Sequence, residues 1–484
     1  MAARKTPRTL AAVVLAAGRG KRMKSARPKV LHDVCGRPSL WHVLKAALEA
    51  RPRTLVVVVR ERGDEVEEAV TKWGLKPEPT FVYQGTPLGT GHAVGAAENA
   101  VGDFEDVLVL SGDDPLIGGE QVRSLLGVHR RSKASATILT TMLDDPAGFG
   151  RVIRRGGELV EIVQEVDASP EQLEIKEVST LVYVFRREDL FRALPLVGRE
   201  NKQSEYYLPD VISILKDKGE KVGVLAVDLG GGLGLNSRGG LAEVSRIMRR
   251  RIIQRHMESG VTFVDPATAY VDVDVTIGRD TLILPFTFLQ GSTRVGARCR
   301  IGPGTQIVDS MIEEDAEVAF SVVRGARIGP RVMVGPYASI RPGTEIAEGG
   351  KAGTFVEMKA TRVGKRSKVP HLAYMGDATI GEDVNVGAGT ITCNYDGFEK
   401  HPTVIEDDAF IGSDTMLVAP VKVGKGAVTG AGSAITKDVP PGALAVERAE
   451  QRVVPDYAKR RTRESTGTDD GEKGTRRGGR KRGK

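Results

Sequence analysis

From residue 261 onward a small aliphatic residue returns at every sixth position, and this period admits very few folds. Val295, Ile301 and Ile307 form one run; Ile328, Val334, Ile340 and Ile346 form a second; Ile405, Ile411, Leu417 and Val423 form a third. Glycine or an acid usually follows, in units such as IGPGTQ, IGPRVM, VGPYAS, VGAGTI and IGSDTM. Each unit supplies one short strand and a turn. The aliphatic side chain points inward, a small residue makes the corner, and stacked coils pair at about 4.8 Å. The period therefore predicts a left-handed parallel β-helix built from hexapeptide repeats. Its register slips around Val318–Ile328 and again over Thr392–Thr403. The second slip, TCNYDGFEKHPT, is expected as a loop thrown out from the helix, and insertions on repeat proteins usually sit on the binding face.

Residues 9–238 carry a different pattern, with short apolar runs alternating with helical segments. The strand candidates are Leu10–Leu15, Leu55–Val59, Val107–Leu110, Ala136–Thr141, Leu181–Phe185 and Val222–Val227. Helical patterns lie between them at Pro38–Ala50, Asp64–Trp73 and Gly119–Arg130. Such alternation predicts an α/β, doubly wound (Rossmann-like), mostly parallel sheet. Residues 240–259 read as one connecting helix, with Leu241, Val244, Ile247 and Met248 on one face and Gly260 placed to stop it. The expected organisation is a nucleotide-type domain over 1–238, a linker helix over 239–260, a β-helix domain over 261–457, and a basic disordered tail over 458–484.

Charge supports that division. Of the net charge of +7 in 484 residues, all is accounted for between Lys459 and Lys484, where eleven Lys/Arg face four Asp/Glu. The basic excess thus belongs to a Gly-rich, apolar-poor extension and gives no sign of a folded nucleic-acid-binding surface. The three cysteines, Cys35, Cys299 and Cys393, form no Cys-x-x-Cys pair, which fits a reducing cytosol without disulfides or zinc. No apolar run approaches the ~18 residues needed to span a bilayer, so membrane insertion is not expected. Residues 1–18 superficially match a signal peptide. The basic block RGKRMKSARPK that follows at once favours a buried strand entering a phosphate loop instead.

LAAGRGKRM, residues 15–23, follows the first strand. Its glycines let the backbone approach phosphate, and Arg19, Lys21, Arg22 and Lys29 add positive charge. It is neither a Walker A loop nor a dinucleotide fingerprint, since Met23 stands where a third glycine belongs. A second glycine loop, LGTGHA at 88–93, lies just after Gln84. VLVLSGDDPLI, residues 107–117, sets Asp113 at the carboxyl end of a buried strand, where ligands sit in such sheets. A carboxylate there suits Mg²⁺; a simple turn at Asp113-Asp114-Pro115 is the competing reading.

These motifs, with PK at 28–29 and GFGRV at 148–152, make this half resemble the sugar-phosphate nucleotidyltransferases. More narrowly, it looks like the uridylyltransferase half of the bacterial bifunctional enzymes that make UDP-N-acetylglucosamine. The resemblance implies that Leu15, Ala16, Gly18, Gln84, Gly89 and Thr90 hold the base and ribose of UTP, and that Arg22 and Lys29 hold its phosphates. It implies Asp113 and Asn236 as Mg²⁺ ligands, and Gly150, Gln164, Ser179 and Asn236 around the sugar. Two positions depart from the family pattern. Gln164 stands where Glu is usual, and Ser179-Thr180-Leu181 stands for Asn-Thr-Gly. Both departures fall on sugar recognition, while the nucleotide and metal positions remain.

In the second half, Arg341, Lys359 and Lys368 are cations on a repeat that otherwise turns small residues outward, and KVPHLAYMGD interrupts the aliphatic period. His371 is a natural base for an attacking ammonium, with a plain corner histidine as the alternative. RPGTEI, FVEMKAT, KVPHLAYMGD, VNVGAGTITCNYDG and IGSDTMLVAPV, in that order, are similar to the glucosamine-1-phosphate N-acetyltransferase half of the same enzymes. That similarity implies Arg341, Lys359, Tyr374 and Asn385 on the sugar phosphate and His371 as general base. It further implies Asn394, Tyr395, Ser413, Ala431 and Arg448 around acetyl-CoA, in a homotrimer. Three alternatives stay open on sequence: an acetyltransferase with an impaired nucleotidyl half, a single-activity sugar nucleotidyltransferase with a regulatory β-helix, and a non-catalytic trimeric scaffold.

Overall fold

The computed structural model describes residues 9–459 and 461, apart from 19, 232 and 233. The expected disordered tail thus falls almost wholly outside the described residues, as does Arg19.

The first run, Leu10–Leu15, is strand β1 of a nine-stranded sheet. The others are β2 (Thr54–Val59), β3 (Thr80–Tyr83), β4 (Asp106–Ser111), β5 (Ala136–Met142), β6 (Arg151–Arg155), β7 (Glu158–Val163), β8 (Glu177–Arg186) and β9 (Val222–Ala226). The order is β9-β5-β8-β4-β1-β2-β3, with the β6–β7 hairpin hung from β8. Only β8 runs antiparallel within that order. The continuous apolar character of β1 now has its reason. Leu10, Ala12 and Val14 enter one core, while Ala11 and Val13 enter another on the opposite face. Leu15 at the end of β1 lies beside Ser111 at the end of β4. This register sets the first glycine loop next to Asp113, at the carboxyl edge of the sheet.

Helix Arg238–Glu258 follows, starting two residues earlier and ending one residue earlier than the periodicity predicts; Ser237 accepts the Gly240 N–H at 3.1 Å and caps its start. It ends before Gly260, whose φ of +92° suits glycine. Val244, Ile247, Met248, Ile252 and Ile253 share one core with Phe263, Val271 and Val275 of the first coil. The helix therefore closes the end of the β-helix. Its Arg251 guanidinium points the other way and donates to Leu116 O at 2.6 Å and Leu229 O at 2.8 Å. A short hairpin, Asp33–Val34 with Arg37–Pro38, makes a second junction: Val273 N–H donates to Cys35 O at 3.0 Å, and Arg37 pairs with Asp274.

Beyond residue 261 the chain coils into three parallel sheets of eleven, ten and nine strands, the left-handed β-helix expected from the period. The inward ladder of the third sheet reads Ile277, Val295, Ile312, Ile328, Ile346, Val363, Ile380, Ile405 and Val423, each paired with the next. The two register slips differ in kind. At the first, Val318, Val323 and Ile328 all point inward at five-residue steps, so the coil is merely short. At the second, Asn394–Pro402 leaves the wall between strands Ile391–Cys393 and Thr403–Ile405 as a small hairpin, with Tyr395 bridged to Lys400. Many glycines after an inward residue mark close approach of coils and no unusual dihedral. A Cβ on Gly353 would lie 2.0 Å from Pro370 O, and one on Gly364 would lie 2.3 Å from Gly381 O.

One edge of the prism, between the first and second sheets, is apolar and exposed. Phe286, Phe320, Tyr337, Phe355 and Leu372 stand there at 44–62% exposure, all with positive φ. Tyr337 stacks between Phe320 and Phe355, with ring centroids 5.8 and 5.4 Å away.

Candidate active sites

At the sheet edge, Lys29 Nζ donates to Asp113 Oδ2 at 2.5 Å and lies 3.5 Å from Asn236 Oδ1. Ser111 Oγ donates to the other Asp113 oxygen. Burial alone would raise the Asp113 carboxyl. The Lys29 charge and the hydrogen bonds from Lys29 and Ser111 outweigh it and hold the group below the ordinary carboxylate range. Asp114, next in sequence and equally buried, is pushed well above that range by burial and then by the Asp113 charge, with Lys29 opposing. Asn236 reaches the site on the segment leading into the long helix, and Leu235 N–H donates to Asp113 O at 3.2 Å.

Ala16 is buried and donates to Val58 O at 2.8 Å, which fixes the start of the glycine loop beside Leu15, and the Cα of Gly18 faces open space. Arg22 is exposed near Gly148. Gln84 donates to Gly89 O at 3.0 Å and lies 3.3 Å from His92 Nδ1. Gly89, at φ +112°, packs so closely on Tyr206 that a Cβ would lie 2.5 Å from its carbonyl oxygen. Thr90 Oγ1 accepts Leu208 N–H at 3.0 Å. The second glycine loop is thus bolted to the Glu205–Leu208 segment, a partner that sequence spacing does not reveal.

Three of the four sugar-side positions, Gly150, Gln164 and Ser179, also converge, while Asn236 lies with Lys29 and Asp113. A Cβ on Gly150 would lie 3.0 Å from Gln164 Nε2, and Ser179 N–H donates to Gly150 O at 3.0 Å. Ser179 Oγ itself is 3.0 Å from the hydroxyl of fully buried Tyr183, so this side chain faces the core. Leu181 has φ +55° at a register shift in β8, a conformation that costs a non-glycine residue roughly 1–2 kcal/mol.

On the β-helix the candidate residues occupy two edges of the second sheet. His371 ends strand Lys368–His371 and is exposed. Val369, Val386, Ile411 and Thr429 point inward in successive coils, and His371, Ser413 and Ala431 stand two residues beyond the first, third and fourth of them, along one edge. Arg448 closes the row by donating to Ala431 O at 2.9 Å. Tyr374 begins the adjoining second-sheet strand, while Asn385 sits in the first sheet beside Lys368.

Cations gather on the opposite edge. Arg341 and Lys359 directly follow Ile340 and Met358, which pair between neighbouring coils. Arg341 pairs with Glu357 at 2.8 Å, and Lys359 with Asp377 at 3.8 Å. Asn394, nearly buried, donates to Asp377 Oδ2 at 2.5 Å and anchors the extruded loop. That loop returns Lys400 to the Lys359 ammonium, whose contact and charge lower the Lys400 pKa; Arg341 adds to the effect and Asp377 opposes it. Sequence reasoning missed Lys400, because only the Tyr395–Lys400 bridge folds it back. Three cations against two carboxylates, Glu357 and Asp377, leave an excess of positive charge that suits a phosphate ester. Tyr395 is exposed, its hydroxyl donating to Gly397 O at 2.6 Å.

A nucleotide-type α/β half with a carboxylate at its strand ends, joined to a hexapeptide coil carrying a histidine edge and a cationic edge, defines a two-part transferase. Residues 12–166 match the MobA-like NTP transferase domain, and residues 402–437 match the bacterial transferase hexapeptide (six repeats). The chain is 46% identical over 448 residues to the bifunctional protein GlmU of Syntrophomonas wolfei, spanning 92% of this chain and 99% of that protein. It is 47% identical to GlmU of Carboxydothermus hydrogenoformans over 449 residues, and 47% identical to that of Heliobacterium modesticaldum over 453. The chain belongs to the GlmU family of bifunctional nucleotidyl- and acetyltransferases.

Proposed function

We propose that the chain makes UDP-N-acetylglucosamine in two steps, using acetyl-CoA at the β-helix and UTP at the α/β half. The observation that carries the reading is the pairing, on one sheet of the coil, of a histidine edge with a three-cation edge. At the first step the free amine of glucosamine-1-phosphate attacks the thioester carbonyl. A C–N bond forms, the C–S bond breaks, His371 takes the ammonium proton, and coenzyme A leaves as the thiol. Arg341, Lys359 and Lys400 hold the phosphate, with Tyr374 and Asn385 beside the sugar, Asn394 and Tyr395 near the acetyl group, and Ser413, Ala431 and Arg448 along coenzyme A.

Histidine and cations lie on opposite edges of one chain's sheet, so a complete site needs a neighbouring subunit. The exposed Phe320–Tyr337–Phe355–Leu372 edge is a contiguous apolar surface suited to that neighbour. A homotrimer follows as part of the proposal. No helix among the described residues is long and apolar enough to cross a membrane. A cytoplasmic location, where nucleotide and coenzyme A are supplied, completes the reading.

At the second step a phosphate oxygen of N-acetylglucosamine-1-phosphate attacks the α-phosphorus of UTP, and pyrophosphate leaves. Leu15, Ala16, Gly18, Gln84, Gly89 and Thr90 would bind the nucleoside, Arg22 and Lys29 the phosphates, and Gly150, Gln164, Ser179 and Asn236 the sugar. Asp113 and Asn236 fit a Mg²⁺ ion: both present oxygens, and a cation, the Lys29 ammonium, already bridges them. When bound, the metal supplies charge neutralisation on the phosphates. Released from Asp113, Lys29 would be free to reach the same phosphates. A coupled assay with glucosamine-1-phosphate, acetyl-CoA, UTP and Mg²⁺ tests the whole reading. UDP-N-acetylglucosamine, identified by mass, is the expected product. Accumulating N-acetylglucosamine-1-phosphate without nucleotide sugar would favour the acetyltransferase-only alternative, to which the inward Ser179 and strained Leu181 lend support.

A further inference from the structure

Asp114 is only 6% exposed, yet its carboxylate accepts no hydrogen bond from any described residue. Its oxygens are not sealed from solvent, but a carboxylate this deep with no protein partner asks for an explanation. The turn does not provide one. Asp114 N–H donates to Ser111 O at 3.3 Å and Asp114 O accepts from Ile117 at 3.2 Å, so the backbone closes on itself. A side-chain-stabilised turn would have the carboxylate accept a backbone N–H two residues on, and it accepts none.

The surroundings indicate what the group is for. Gly234, at φ +73°, leaves a gap where a side chain would begin. A Cβ placed there would lie 3.1 Å from Asp114 Oδ1, 3.4 Å from Asn236 Nδ2 and 3.8 Å from Asp113 Oδ2. Two carboxylates and one amide therefore border a single small space, and glycine keeps it open. Charge balance points the same way. Lys29 and Asp113 neutralise each other as they stand. A dication that displaced Lys29 from Asp113 would meet only one negative charge there, and Asp114 would supply the second.

We propose that Asp114 is the second anionic ligand of a divalent-cation site shared with Asp113 and Asn236, complete enough to hold the ion in the free protein before nucleotide binds. The inference rests on the proposed metal role of Asp113 and Asn236.

The test is titration of the full chain with MnCl₂ alone, without nucleotide, reading free Mn²⁺ by its electron paramagnetic resonance signal. Circular dichroism checks the fold of each variant. Wild type is expected to bind one Mn²⁺ per chain. Asp114→Asn, which keeps the shape and removes the charge, should weaken that binding by about tenfold or more, as losses at metal sites commonly do. Asp113→Asn should weaken it at least as much. Unchanged affinity in Asp114→Asn alongside a loss in Asp113→Asn overturns the role of Asp114 and leaves the Asp113 reading intact. Unchanged affinity in both variants sinks the Asp113 reading too. Failure of the wild-type chain to retain Mn²⁺ at millimolar concentration without nucleotide also overturns the proposal.

Discussion

Gly353 offers the sharpest test of how the coil holds its histidine. It lies in strand Lys351–Thr354, and the next strand, Lys368–His371, stacks on it with Thr354 opposite His371. Replacing Gly353 by Ala puts a carbon 2.0 Å from Pro370 O, the residue before the histidine. A carbon–oxygen contact tolerates little below about 3 Å, so the two coils must part by roughly 1 Å. The Leu372 N–H to Thr354 O bond, now 2.9 Å, would then stretch to near 4 Å, beyond hydrogen-bonding range. Each buried backbone group left unpaired costs about 1–3 kcal/mol. An ångström-scale displacement of a catalytic group costs on the order of 100-fold in rate. Gly353→Ala should therefore lower acetyl transfer to glucosamine-1-phosphate about 100-fold, while UTP-dependent pyrophosphate release stays at the wild-type level. Gly95→Ala is the control, since a Cβ there meets nothing within 4 Å and the residue lies in helix Thr90–Ala96. That variant should keep both activities and gain up to about 1 kcal/mol of helix stability. Acetyl transfer within threefold of wild type in Gly353→Ala would refute the idea that coil spacing positions His371.

Other outcomes follow from the two sites. His371→Ala should abolish acetyl transfer and spare pyrophosphate release from UTP; joint loss of both activities in a folded protein contradicts two separate centres. Asp113→Ala should do the reverse, and an unchanged Mg²⁺ requirement would remove Asp113 from the metal site. Lys400→Ala should raise KM for glucosamine-1-phosphate about tenfold with kcat little changed, since it deletes one of three phosphate-facing cations; an effect on kcat alone speaks against that role. Asp210 is pushed up from 3.8 to about 6 by burial, then by Asp167 and Glu161. Its folded state binds the proton more tightly than the unfolded chain, so its contribution is full below pH 3.8 and fades as pH rises through 6. Asp210→Asn should stabilise the nucleotide half by about 1 kcal/mol at pH 7.5, allowing for solvent screening, and by nothing measurable at pH 4. Equal stabilisation at both values, read from urea melts, would assign the gain to something other than charge.

Much of this architecture is written in periodicity. The six-residue step of the C-terminal half yields the coil, because a strand-plus-corner unit leaves little freedom in how its neighbours stack. Strand β1 matches its expected bounds, Leu10–Leu15, because both faces are buried and every side chain is apolar. What escapes is structure without that signature. Edge strand Thr80–Tyr83 is half exposed, and the Arg151–Arg155 and Glu158–Val163 hairpin is charged and hangs off the sheet. Neither needs the apolar run that marks a central strand. At the sites, Asp113 was legible from its place after a buried run. Asp114 looked like the first half of a turn, and only its missing hydrogen bonds distinguish it. Lys400 was illegible because its position depends on a hairpin whose register no period announces. The sugar-side departures at Gln164 and Ser179 were visible as letters, but the inward hydroxyl of Ser179 was not.

The helix that stoppers the coil has a practical bearing on how the two chemistries could be dissected. Its apolar stripe belongs to the acetyl-transferring half, filling a bore that would otherwise open to water at Phe263 and Val271. A fragment begun at residue 261 would be born uncorked and prone to clump with its siblings, whereas one begun before Arg238 would carry its own bung.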